Sequence, residues 1–128
     1  MQKRVELLAP AGNMEKLKTA IHFGADACFV GGSSFNLRGM SSNFKNKELK
    51  EAIDYVHSLG KKIYVTLNIF AHNTEIDYLP RFIKMLAEYG ADAAIVADLG
   101  VLQLVREHAP NLPIHVSTQA NNTNWMSV

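Results

Sequence analysis

The chain has 128 residues, 48% apolar and 20% charged, the composition of a globular domain and not of a disordered segment. Thirteen Lys and Arg against twelve Asp and Glu leave a formal net charge of +1, which gives no electrostatic case for a nucleic-acid or membrane surface. Its one cysteine, Cys28, excludes an internal disulfide and any multi-cysteine metal or cluster site within the chain; the reducing cytoplasm is then the default location, and no run approaches the ~20 apolar residues of a membrane span.

The chain repeats one unit: a short apolar run, a polar or Gly-rich turn, then a segment of helical period ending in Gly or Pro. The first run is Val5-Glu6-Leu7-Leu8, closed by Ala9-Pro10-Ala11-Gly12. Asn13 is placed to cap a helix whose face is Met14, Leu17, Ile21 and Gly24, with Gly24 suited to the left-handed stop. The second run, Ala27-Cys28-Phe29-Val30, leads into Gly31-Gly32-Ser33-Ser34 and a long polar loop reaching to Asn46. Asn46 is expected to cap a second helix, striped by Leu49, Ala52, Ile53, Val56 and Leu59 and stopped at Gly60.

The third run, Ile63-Tyr64-Val65-Thr66-Leu67, has the β-branched and aromatic composition of a strand. The third helix carries Leu79, Ile83, Leu86 and Gly90 on one face. Thr74 and Asp77 form a capping-box pattern, but a start at Asp77 is preferred because it puts Pro80 in the first turn, where its missing N–H costs nothing. The fourth run is Ala93-Ala94-Ile95-Val96, followed by a helix from about Leu99 to His108, stopped by Pro110. Ile114-His115-Val116 is the fifth run.

Nearly continuous apolar runs alternating with helices predict a parallel sheet buried on both faces, an α/β fold. Two architectures fit: a five-stranded doubly wound sheet, or the first five strands and four helices of a TIM-like (β/α)8 barrel, which needs about 250 residues. The tail after the fifth run lacks an apolar stripe, so the expectation is a single partial barrel domain over 1–128, cut after strand five. Phe23-Gly24-Ala25-Asp26-Ala27 echoes Tyr89-Gly90-Ala91-Asp92-Ala93 at the same helix-to-strand junction, two units on.

In both architectures the functional face lies at the carboxyl ends of the strands. Those ends deliver Arg38, Asn68, Asp98, Gln119 and Asn121, a ring of one cation, one carboxylate and several amides suited to a small polar or anionic group. Each also has a plainer reading. Asp98 is placed to cap the fourth helix, Asn68 to end a strand, and Arg38 to be a solvated loop charge. Gly31-Gly32 reads as a turn more than as a phosphate cradle, since the next helix is distant. Cys28 sits inside an apolar strand as core packing. The five histidines show no metal-ligand spacing, and His115 is placed either in a wall or facing a barrel interior. No catalytic pair follows from spacing, so the catalytic residues stay unassigned.

Glu6-Leu-Leu-Ala-Pro-Ala-Gly12, Gly24-Ala-Asp26 followed by Phe29-Val-Gly-Gly32, Phe35-Asn-Leu-Arg38, and Ser117-Thr-Gln-Ala-Asn121 together resemble the start of peptidase family U32, the collagenase-like proteases. The resemblance implies a TIM-like barrel and, from the family's name, peptide hydrolysis. It also implies an alternative, a component of an iron–sulfur-dependent hydroxylase of the tRNA wobble uridine, since other members act in that reaction or in oxygen-independent hydroxylation during ubiquinone synthesis. In those members the cluster cysteines lie downstream of the region matched here, so no cofactor is expected within this chain. A third reading is a non-catalytic barrel that binds a partner or a small anion. The expected partners are a peptide or a small polar or anionic substrate, tRNA for the intact protein, and no membrane. A half barrel with an uncovered interior is expected to be inactive alone and to self-associate.

Overall fold

The computed structural model describes residues 5–31, 45–68 and 76–128. Among them the apolar runs form five strands, β1 (Leu8–Pro10), β2 (Ala27–Gly31), β3 (Lys62–Leu67), β4 (Ala93–Val96) and β5 (Ile114–Val116). Four helices alternate with them: α1 (Met14–His22), α2 (Asn46–Ser58), α3 (Leu79–Tyr89) and α4 (Leu99–His108). Every strand pair is parallel and the order is β1-β2-β3-β4-β5. A doubly wound sheet reverses its strand order at a switch point. This sheet advances in one direction without reversal, which is the topology of a TIM-like barrel.

Register and burial separate two faces. Cys28, Val30, Ile63, Val65, Leu67 and Val96 point toward the helices and join one core with Leu17, Ile53, Ile83, Leu86 and Val105. The alternate residues Ala27, Phe29, Tyr64, Ala93 and Ile95 form a second cluster on the opposite, concave face. Thus Phe29 stands opposite Tyr64, and Tyr64 opposite Ala93, in the strand register. Both faces of the central strands are apolar, which is why their sequences run without alternation.

Element bounds follow local chemistry. β1 begins at Leu8, three residues after the expected Val5, and includes Pro10. Proline is tolerated there because the bond to β2 at this point is made by the Ala11 N–H, which donates to the Phe29 carbonyl at 3.0 Å. Asn13 caps α1 as expected, its Oδ1 accepting the Lys16 N–H at 2.9 Å. The cap of α2 is Lys45, one residue before the expected Asn46, because the Glu48 carboxylate reaches back to accept the Lys45 N–H at 3.1 Å. α3 starts at Leu79, with Tyr78 as its cap instead of Asp77, and Pro80 sits in the first turn as expected. Thr74 and the residues of the long loop, including Arg38, lie outside the described residues. No helix among the described residues is long and apolar enough to cross a membrane.

Candidate functional site

The carboxyl ends of the strands surround a cavity of about 410 Å³. β1 supplies Pro10, β2 Phe29 and Gly31, β3 Thr66, and the chain after β5 supplies Ser117 to Gln119. His115 enters from β5, and its ring meets the Tyr64 ring edge-on with centroids 4.7 Å apart. Of the two placements open to His115, the interior is the one found. No Asp, Glu, Lys or Arg occurs among the described lining residues. The described walls are therefore aromatic and aliphatic, and their polar groups are hydroxyls, amides and one imidazole.

Toward the amino ends of the strands, Glu6, Lys62 and Tyr64 form a polar cluster. The Tyr64 hydroxyl donates to Glu6, and Lys62 Nζ donates to the other Glu6 oxygen at 3.0 Å. These two hydrogen bonds hold the Glu6 carboxyl below its usual range. Burial, with the Glu6 contact, pushes the Tyr64 phenol well above its usual range. Hydrogen bonding to Glu6 raises the Lys62 ammonium. Tyr64 thus carries the His115 ring on its own ring and anchors its hydroxyl beneath.

Of the five expected site residues, Asn68 and Gln119 line the cavity. Asn68 directly follows β3 and its Oδ1 is buried with no hydrogen-bond partner. Asp98 takes its capping role: its Oδ1 accepts the Val101 N–H at 3.0 Å, and it is not among the described lining. Asn121 closes the 3-10 turn Thr118–Ala120 in the left-handed region (φ 55°), with its N–H donating to the Thr118 carbonyl. That conformation suits asparagine, and its side chain is exposed outside the described lining. Arg38 lies outside the described residues.

Sequence reasoning does not single out Phe29 or Thr66, although the signal is present. In a strand buried on both faces every second residue faces the concave side, and Phe29, Thr66 and Asn68 each fall on that phase. Thr66 Oγ1 donates to the Val30 carbonyl at 3.2 Å, fastening β3 to β2 beside the cavity.

Cys28 is fully buried on the helix side of β2, and burial raises its thiol pKa. An iron–sulfur cluster takes about four thiolates. The chain's single cysteine, facing the helical core, does not fit such a group. Among the described residues no His, Cys, Asp and Glu side chains are grouped to hold a metal ion.

The family model described as Peptidase family U32 matches residues 12–128. The tRNA hydroxylation protein P1 of Bacillus subtilis (strain 168) is 47% identical over 126 residues, covering 98% of this chain and 30% of that protein. The tRNA hydroxylation protein P of Helicobacter pylori (strain ATCC 700392 / 26695) is 48% identical over 124 residues, covering 96% of this chain and 29% of that protein. The chain therefore spans under a third of the length of these curated relatives. A solved U32 peptidase superposes with a TM-score of 0.73 at 16% identity, over 94% of this chain and 51% of that one, which shows the shared fold.

Proposed function

The chain belongs to peptidase family U32, and from that premise we propose that it forms the barrel portion of a protein that hydroxylates tRNA, with the wobble uridine as target. The observation that carries this reading is the identity of nearly half, across almost the whole chain, to proteins named for tRNA hydroxylation. The cavity is compatible with it. Its described lining residues carry no charged side chain and include aromatic ones, a surface that suits an uncharged planar group better than a phosphate or a peptide terminus.

In this reading the chain's residues bind and orient. Phe29 and His115 supply flat surfaces, and Asn68 and Gln119 supply hydrogen-bonding groups at the strand ends. Any cluster that takes part draws its thiolates from outside these residues, for the reason given above. A tRNA-directed role also favours the cytoplasm, in keeping with a chain free of disulfides.

Peptide hydrolysis, the reading first implied by the family's name, has less behind it. Cys28 faces the helical core. Ser117 Oγ accepts the Gln119 N–H at 3.2 Å in a local turn. His57 pairs with Asp92 at the far end of the barrel. The test is genetic and chemical. The gene is deleted, the strain is complemented with the full-length protein, and hydroxylated uridine in total tRNA is measured by mass spectrometry. Loss on deletion and return on complementation are expected; tRNA unchanged by deletion sinks the reading.

A further inference from the structure

We infer that Asn68 is the residue that selects the substrate base: its carboxamide oxygen accepts an N–H from the edge of a pyrimidine ring held in the cavity, an assignment that rests on the tRNA reading. The polar groups at the carboxyl ends of the strands divide into two kinds. Asn13, Asp98 and Ser117 each accept a backbone N–H from the turn or helix that follows, from Lys16, Val101 and Gln119 respectively. Their oxygens are consumed in holding the fold. Thr66 is likewise engaged, with the Val30 carbonyl. Asn68 is different: it lines the cavity, and its Oδ1 is covered with no partner, so a ligand meets that oxygen once the amide turns toward the cavity.

A buried acceptor left unsatisfied costs about 1–3 kcal/mol. Such an atom in a native structure calls for an explanation, and a ligand that brings the donor is one. The cavity beside Asn68 limits what that ligand is. An acceptor repels phosphate and carboxylate oxygens, and no basic side chain occurs among the described lining residues to offset them. Phe29 and His115 supply flat faces on which a ring can rest. A neutral planar ring with an N–H on its edge meets both conditions. Uracil does so, with an N–H flanked by carbonyls, and the Asn68 amide group can donate to one of those carbonyls while its oxygen accepts. The base reaches such a cavity only when it leaves its stack, as an unpaired loop nucleotide can. Phosphate contacts position an RNA while base contacts specify it, so affinity for tRNA and choice of base are separable.

The experiment uses the full-length protein in the deletion strain, comparing wild type with Asn68→Leu, an apolar side chain of similar volume. Hydroxylated uridine is read by mass spectrometry, with the melting temperature and the tRNA dissociation constant of the purified proteins beside it. The expected result is a loss of hydroxylated uridine of at least tenfold, tRNA affinity within threefold of wild type, and a melting temperature equal to or above wild type because the orphaned oxygen is gone. Retention of more than a tenth of the modification overturns the inference and leaves the tRNA reading standing. A melting temperature lowered by more than about 5 °C also overturns it, since the oxygen then has an internal partner. A wild-type protein that restores no hydroxylated uridine overturns both.

Discussion

Asp92 and Ile63 bond to each other twice: the Ile63 N–H donates to Asp92 Oδ2 at 2.8 Å, and the Asp92 N–H donates to the Ile63 carbonyl at 3.0 Å. Asp26 and Leu7 repeat the arrangement, at 3.0 Å and 2.8 Å. The two Gly-Ala-Asp echoes in the sequence are therefore one structural device used twice. Each junction aspartate ties the start of its own strand to the start of the strand before it. The carboxyl end of α2 reaches both aspartates: His57 Nε2 lies 2.8 Å from Asp92 Oδ2, and Lys61 Nζ, just beyond the helix, donates to Asp26 at 3.3 Å.

Removing one of these ties leaves the Ile63 N–H without its carboxylate. Asp92→Ala is expected to lower stability by about 1–2 kcal/mol, and Asp92→Asn by less, because a carboxamide oxygen can still accept that N–H. Urea unfolding of the full-length variants measures the difference. Equal losses for the two substitutions would count against the hydrogen bond as the cause.

The Glu6–Tyr64 contact predicts a stability profile that falls at both ends of the pH scale. Glu6 has a folded-state pKa below its ordinary 4.5, so its contribution is complete above 4.5 and is lost as pH falls through the lower, folded value. Tyr64 is shifted upward from 10.0, so its contribution is complete below 10.0 and is lost as pH rises beyond that toward the folded value. Melting temperature against pH should show a flattened acid arm in Glu6→Gln and a flattened alkaline arm in Tyr64→Phe. Unaltered arms in both variants would show that other groups dominate.

Gly100 lies against the Asp98 cap. A Cβ at position 100 would stand 2.9 Å from Asp98 Oδ1, too close without a shift of that side chain. Gly100→Ala is expected to destabilise the wild-type protein and to be neutral or stabilising once Asp98→Ala has removed the carboxylate, since alanine is the better helix former. Asp98→Ala alone should cost about 0.5–2 kcal/mol as a lost cap. A double-mutant cycle by denaturant unfolding checks the change of sign.

Cys28 is buried with a raised thiol pKa, so it should resist alkylation in the native protein. Iodoacetamide treatment followed by peptide mass mapping should leave the Cys28 peptide unmodified until denaturant is added. Native-state labelling within minutes would place the thiol in a more open site than the helix-side core.

The bounds of β4, α4 and β5 were legible to the residue, because each apolar run there is closed by a cap or a proline. β1 was not. Its true span includes a proline that sequence reasoning takes as a stop, and Pro10 is acceptable because the Ala11 N–H makes the bond to β2. The alternation of elements alone fits a sheet as well as a barrel; the tail without an apolar stripe and the family resemblance favour the barrel, and the strand order agrees. At the site, Asn68 and Gln119 were visible as polar residues at strand ends. The capping of Asp98 was legible as well, from an aspartate directly before the helix; the lack of a partner for Asn68 was not, because it depends on where a side-chain oxygen points. The pairing of His115 with Tyr64 joins residues on strands that are not neighbours in the sheet.

The aspartate ties sit at the amino ends of the strands and the cavity at their carboxyl ends. Closure of the fold and choice of ligand thus draw on separate sets of residues. A lineage can exchange Phe29, Asn68 or Gln119 to suit a different substrate without loosening Asp26 or Asp92. A library randomised at the cavity should accordingly yield many folded members, and one randomised at the two junctions few.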